Sequence, residues 1–255
     1  NLYKIIIASD FSNDNTNYLV NEFIKNNHGI DIKLYETKVR KGKTNAQNEA
    51  QKIVDTEILV MTDANSILEK NSINHLVSSF SDSSIVYVSG KLEYLVDVDS
   101  KANSSERSYW NFDLYSREIE SKIHSITAGN GALYAIRNDY YHDFSPIECH
   151  DSAMPIYYVL NGKRAIYNKN AVAFEKTGNS FKDEFNRKVR MNRNIIKLIL
   201  PSIKILNVFK YNWFSFFYLG HRTSRYLLWL AHSVLFISNI FLLQHFIFQI
   251  VFKVL

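Results

Sequence analysis

A chain of 255 residues with 46% hydrophobic content can form one large domain or two small ones around a sizeable core, which excludes a disordered chain. Its net charge of +5 fits an anionic partner, whether a nucleotide, an anionic lipid surface or nucleic acid, without choosing among them. The single cysteine, Cys149, excludes an intramolecular disulfide and a thiolate metal cluster.

The chain shows no initiator Met and no signal peptide, and it enters a strand almost at once. Tyr3 to Ala8 is a buried-strand run that stops at Ser9-Asp10. Thr16 to Lys25 has helical spacing with Leu19, Val20 and Phe23 on one face, and Asp31 to Thr37 reads as a short strand, so a β-α-β alternation has begun. Arg40-Lys41-Gly42-Lys43 is a basic glycine turn running into a helix that ends near Val54. A lysine beside a helix N-terminus suits phosphate, and an exposed basic turn is the plainer reading.

Next, Ile58 to Met61 is an apolar run that breaks off into Thr62-Asp63-Ala64-Asn65, as a buried strand does at the edge of a sheet. Ligands of open α/β sheets gather beyond the carboxyl ends of strands, which is where Asp63 and Asn65 fall. Two oxygen-bearing side chains one residue apart can face one hard cation, and that cation can carry a diphosphate; the alternative is an Asx turn. A helix over 71–80 and a strand over 85–90 continue the alternation toward a doubly wound sheet. From Glu106 to Ser121, Tyr109, Trp110, Phe112 and Tyr115 share one helical side, either a buried amphipathic face or rings for stacking sugars.

Gly129 and Gly131 precede a strand and either make a turn or let backbone approach a ligand. Asp151 stands before a helix expected to start near Met154-Pro155, where an acid serves as a cap or as a rigidly held general base. Arg164 to Tyr167 reads as a strand and Ala171 to Glu175 as its extension. The basic helical run from Phe181 to Arg193 fits a solvated face, a nucleic-acid contact or a diphosphate clamp. Between Asn194 and Gly220, Lys197, Lys204, Lys210 and Trp213 interrupt apolar residues and Pro201 breaks the run, a pattern of interfacial helices. Tyr226 to Phe252 carries no charge and is long enough to cross a hydrocarbon core of roughly 30 Å, with Arg222 and Arg225 marking a cytoplasmic flank; a pair of buried core helices is the alternative.

In this order, the strand ending in Ser-Asp, the Gly-Lys turn, Thr-Asp-Ala-Asn, the glycine-led strand Gly-Ala-Leu-Tyr-Ala-Ile-Arg, the acid before proline, Gly-Lys-Arg-x-x-Tyr and the Arg-Lys-Val-Arg helix resemble the family-two glycosyltransferases. The likeness covers residues 3 to about 243 and is greatest to the membrane-bound branch with the cellulose, chitin, hyaluronan and poly-N-acetylglucosamine synthases. It implies an α/β fold of GT-A type, a Rossmann-like mixed sheet with helices on both faces, over 1–193, then interfacial helices over 194–225 and transmembrane segments over 226–255. It also implies inverting transfer from a nucleotide-diphosphate sugar donor to a glycan or lipid acceptor at a bacterial inner membrane, with the catalytic domain in the cytoplasm; no nucleic-acid partner is expected, because the basic residues are not paired with a recognised binding motif.

Carried over by position, the resemblance makes Asp10 a nucleotide-base contact and Lys43 part of the nucleotide pocket. Asp63 and Asn65 match the family's Asp-x-Asp and hold a divalent metal, Mg²⁺ or Mn²⁺. Asp151 becomes the general base and Arg190 the arginine of the family's Gln-x-x-Arg-Trp helix. The departures are specific. Asn65 and His150 stand where the family has acids, Arg187 and Met191 replace the Gln and Trp, and the family's first strand and helix would lie upstream of Asn1. They support the alternative of a catalytically impaired, nucleotide-sugar-binding membrane subunit.

Overall fold

A computed structural model describes residues 4–95, 103–176, 185, 189, 195–245, 248, 249 and 252, without the side chains of 103–110 and 195. The chain divides into two compact units, Asn1–Arg193 and Asn194–Leu255.

The first unit starts with β1 (Lys4–Ser9), α1 (Thr16–Asn26) and β2 (Asp31–Glu36), and β1 and β2 pair in parallel as a two-stranded sheet of their own. Then come α2 (Lys43–Gln51), β3 (Ile58–Thr62), β4 (Ile67–Leu68), α3 (Ser72–Ser78), β5 (Ile85–Leu95), α4 (Asn103–Ile123), β6 (Leu133–Arg137), α5 (His150–Leu160) and β7 (Arg164–Lys176). Their strands form a five-stranded sheet in the order β3-β6-β5-β7-β4, in which only the β5–β7 pair is parallel. The fold is therefore α/β with a mixed sheet. The single doubly wound sheet expected from the alternation is split in two among the described residues.

Strand alternation distributes the core over both faces of the larger sheet. Leu133 and Ala135 of β6 pack with Leu76 of α3, whereas Tyr134 and Ile136 point the other way, toward Met154 and Tyr158 of α5. The β3 run, apolar throughout, is only half-buried over Ile58 to Met61 because this strand lies at the edge of its sheet. β5 runs on past Gly90, where a Cβ would meet the Ala171 carbonyl oxygen at 2.7 Å and Leu133 Cδ2 at 2.9 Å; the pairing with β7 shifts register at this point.

Two helical faces depart from a buried amphipathic reading. No residue of α1 is buried, although Leu19 and Phe23 lie one turn apart. In α4 the rings of Phe112 and Tyr115 are 64% and 63% exposed, and the inward side holds Asp113, Arg117 and Glu120 instead. Arg117 Nε forms an ion pair with Asp113 Oδ2 at 2.8 Å, and Glu120 accepts the Thr127 amide at 3.1 Å, which offsets the cost of burying these charges. The side chains of Tyr109 and Trp110 lie outside the described residues.

The second unit contains α6 (Ile195–Ile199), α7 (Val208–Tyr211), α8 (Trp213–Phe217), a π-helical turn over Tyr218–Thr223 and α9 (Ser224–Phe241). Ile205, Phe214 and Tyr218 form its buried centre, and the Tyr218 hydroxyl donates to the Leu198 carbonyl at 2.8 Å. A transmembrane span over 226–255 is not shown: among the described residues no helix is long and apolar enough to cross a membrane. α9 stops at Phe241 after 18 residues and carries Arg225, His232 and Asn239 within its length.

Candidate active site

The basic glycine turn is built by an aspartate 31 and 32 residues upstream. Asp10, just past β1, accepts the backbone amides of Lys41 and Gly42 on its two carboxylate oxygens, at 3.0 and 2.8 Å. Gly42 takes φ +100°, a conformation that side chains oppose, and so lets the chain enter α2 with Lys43 as its first residue. Asp10 thus positions the turn through backbone contacts.

Lys43 reaches across to the end of β3. Its ammonium pairs with Asp63 Oδ1 and lies 3.3 Å from the Gly131 carbonyl oxygen. A Cβ on Gly131 would stand 3.3 Å from Lys43 Nζ and 3.9 Å from Asp63 Oδ2, so Lys43, Asp63 and Gly131 converge on one place. Asn65 is exposed inside a turn closed by the Ser66 amide donating to the Asp63 carbonyl at 3.1 Å, and the Ser66 hydroxyl anchors that turn to Glu175 at 2.6 Å. Among the described residues no group of three or more His, Cys, Asp or Glu gathers to hold a metal. One carboxylate and one amide oxygen at a strand end fit a hard ion that completes its shell with water and substrate phosphates.

Asp151 lies in the first turn of α5, which begins at His150 and not near Pro155. Proline has no amide hydrogen, so Pro155 leaves the carbonyl four residues earlier without its helical donor. That carbonyl belongs to Asp151, and it accepts the Gly129 amide at 2.8 Å. The glycine loop is thereby tied to the entrance of α5. Gly129 itself is required by packing, since a Cβ there would fall 2.1 Å from the hydroxyl of the fully buried Tyr87. The N-cap position of α5 is Cys149, and Asp151 stands in the first turn, where the helix dipole favours a carboxylate.

Behind these residues lies a buried polar network with no counterpart in the sequence reading. His150 is 3% exposed, with Nδ1 3.1 Å from the Tyr134 hydroxyl and Nε2 3.1 Å from Asn48 Oδ1. Asn48 donates through Nδ2 to the Phe144 carbonyl at 2.8 Å, which turns its oxygen toward His150 and toward the Tyr141 hydroxyl, a donor at 2.8 Å. An oxygen in that position requires the hydrogen of neutral His150 on Nε2, and leaves Nδ1 to accept from Tyr134. Gln47 donates to the Tyr134 hydroxyl at 3.3 Å, and the Thr44 hydroxyl to the Glu148 carbonyl at 2.6 Å.

Burial, with help from the Lys43 charge, pushes the His150 imidazole down to about 4. Burial raises the Tyr134 hydroxyl far above its ordinary range, with the neighbouring Tyr87 and Tyr141 and then Asp151 and Asp63 adding to the effect. The spacing Thr44, Gln47, Asn48, Gln51 is one helical face and was the available signal. Of the six residues expected at the site, Asp10, Lys43 and Asp63 are linked directly or through the turn, Asp151 joins through Gly129, and Asn65 stands two residues from Asp63. Arg190 lies outside the described residues.

Comparison with known proteins adds the following. The description "Glycosyl transferase family 2" fits residues 1–143. Two poly-beta-1,6-N-acetyl-D-glucosamine synthases of Staphylococcus epidermidis are 34% and 32% identical over 77 residues, 30% of this chain. That match spans 18% of the length of each relative. Among solved structures, mannosyltransferase PcManGT from Pyrobaculum calidifontis, in complex with GDP-Man and Mn²⁺, superposes with a TM-score of 0.66 at 17% identity, covering 98% of this chain and 74% of that one. GalNAc-T7 with UDP, GalNAc and Mn²⁺ gives 0.53 at 14% identity, covering 82% and 46%. These neighbours carry the GT-A fold.

Proposed function

The chain belongs to glycosyl transferase family 2, and from that premise we propose that it moves a sugar, with inversion, from a nucleoside-diphosphate donor to a hydroxyl of a glycan or lipid-linked acceptor. The observation that carries this reading is the hydrogen bond from the Gly129 amide to the Asp151 backbone carbonyl, which ties the entrance of α5, where Asp151 stands, to the loop whose Gly131 meets Lys43 and Asp63. The two halves of a displacement thus share one support. The donor neighbours named above, with GDP-Man and UDP, support a diphosphate at Lys43, whose ammonium balances charge as the bond to the sugar breaks.

In this reading the Asp151 carboxylate takes the proton of the acceptor hydroxyl as its oxygen bonds to the anomeric carbon, and the bond from that carbon to the diphosphate oxygen breaks on the opposite side. Asp63 and Asn65 would hold a divalent ion, which supplies further positive charge for the departing diphosphate. The buried His150 network fixes α2 against α5, and so keeps Lys43 and the Asp151 backbone in register.

Asp151→Asn tests the proposal, because the amide keeps the shape of the side chain and its helix position. Loss of sugar transfer by about 10²–10⁴-fold, with the melting temperature and nucleoside diphosphate binding retained, is the expected outcome. Near-normal turnover in this variant would overturn the assignment.

A further inference from the structure

We propose that the Lys43 ammonium is the resident cation of the Asp63 site, holding the carboxylate against divalent metal until a nucleoside diphosphate draws the lysine away. The inference deepens the donor-site reading above and rests on it.

Three observations carry it. The ammonium is shared by two oxygens that approach from different elements, Asp63 at the end of β3 and the Gly131 carbonyl ahead of β6. The second oxygen-bearing side chain of the turn, Asn65, is neutral, so the lysine already balances the charge of Asp63. Finally, Asp10 pins the Lys41 and Gly42 amides, which fixes the lysine backbone, while the side chain is half exposed and free to swing. A lysine head is a compact point charge on a flexible stem, suited to changing partners without moving the main chain.

A divalent ion brought to Asp63 meets this ammonium at close range. Repulsion between a double and a single positive charge about 4 Å apart, at a half-exposed site, lowers metal affinity by roughly tenfold or more. A diphosphate offers the ammonium more negative charge than one carboxylate does. Once the lysine moves to it, Asp63 is released for the metal, and the two ligands tighten each other by equal factors through linkage. Part of that mutual tightening comes from direct contact between metal and phosphate, and the remainder is supplied by Lys43.

Mn²⁺ binding to the whole 255-residue chain, read from the paramagnetic resonance of the free ion, tests this. Wild type, Lys43→Met and Lys43→Arg are titrated with Mn²⁺ alone and then with saturating UDP or GDP. Lys43→Met is expected to bind Mn²⁺ about tenfold tighter than wild type, Lys43→Arg within about threefold of it, and the tightening by nucleotide to be larger in wild type than in Lys43→Met. Lys43→Gln replaces the methionine variant if that one does not fold. Equal or weaker Mn²⁺ binding in a folded charge-free variant overturns the proposal, as does equal nucleotide-driven tightening with and without the lysine. Absence of UDP and GDP binding to wild type would defeat the donor reading and the hand-over with it, while the metal-alone comparison still decides whether Lys43 guards Asp63.

Discussion

Two helices of the first unit have opposite composition and opposite burial. α1 places Leu19 and Phe23 one turn apart and buries no residue at all, whereas α2 has the polar sequence Lys-Thr-Asn-Ala-Gln-Asn-Glu-Ala-Gln and buries Thr44, Ala46, Gln47, Asn48 and Ala50. Apolar spacing says which face of a helix is able to be buried; the neighbouring surface decides whether it is. α1 has the two-stranded β1–β2 sheet as its neighbour, while α2 is joined to the Tyr134–Glu148 stretch by hydrogen bonds. Directed bonds fix position and orientation together, which apolar contact does less strictly, and α2 is the helix that carries Lys43.

Removing the centre of that network is the strongest way to break the contrast. Asn48→Leu has suitable volume and leaves the Phe144 carbonyl, the Tyr141 hydroxyl and His150 Nε2 without their partner. A buried polar group left unpaired costs about 1–3 kcal/mol, so a loss of about 3–5 kcal/mol is expected by urea denaturation. An effect below about 1 kcal/mol would mean that α2 is held as loosely as α1.

The contrast also marks how far the sequence could be read. Runs such as Ile58 to Met61 announce strands because a row of apolar residues has few other places to go, and the glycine turn at Gly42 was visible from composition alone. β4 escaped because two residues, Ile67 and Leu68, carry no periodicity. Pro155 points to a later start for α5 because a proline usually sits in a first turn; here the Gly129 amide occupies the carbonyl that Pro155 frees. Asp63 stands out in the sequence by its place at a strand end, but its pairing with Lys43 spans 20 residues and exists only in the fold. Amides such as Gln47 and Asn48 usually face solvent on a helix, and only the face they share with Thr44 and Gln51 points the other way. α4 repeats the lesson, with Asp113, Arg117 and Glu120 inside and Phe112 and Tyr115 outside.

A smaller effect comes from pH. Burial holds His150 neutral down to about 4 in the folded chain, whereas an unfolded histidine takes its proton near 6.5. Between those values the unfolded state binds more protons, so stability falls as pH drops through this window and is level above it. The loss expected from His150 is about 2 kcal/mol between pH 7 and pH 5. Denaturation midpoints of wild type and His150→Gln over this range check it, and the same slope in both would remove His150 from the account.

The least effect is expected on the other side of the comparison. Leu19→Gln and Phe23→Gln remove the apolar pair of α1 while keeping a good helix former at each position, so intrinsic helix preference changes little. Both side chains are more than half exposed, at 62% and 53%, and little apolar area is returned to water by replacing them. Surface substitutions of this kind stay within about 0.5 kcal/mol each, and the double variant is expected to melt close to wild type with its nucleotide binding intact. A loss comparable to that of Asn48→Leu would show that the Leu19–Phe23 face is covered in solution by a surface outside the described residues. In that case α1 and α2 would differ in the chemistry of what they bury, and no longer in whether they bury it.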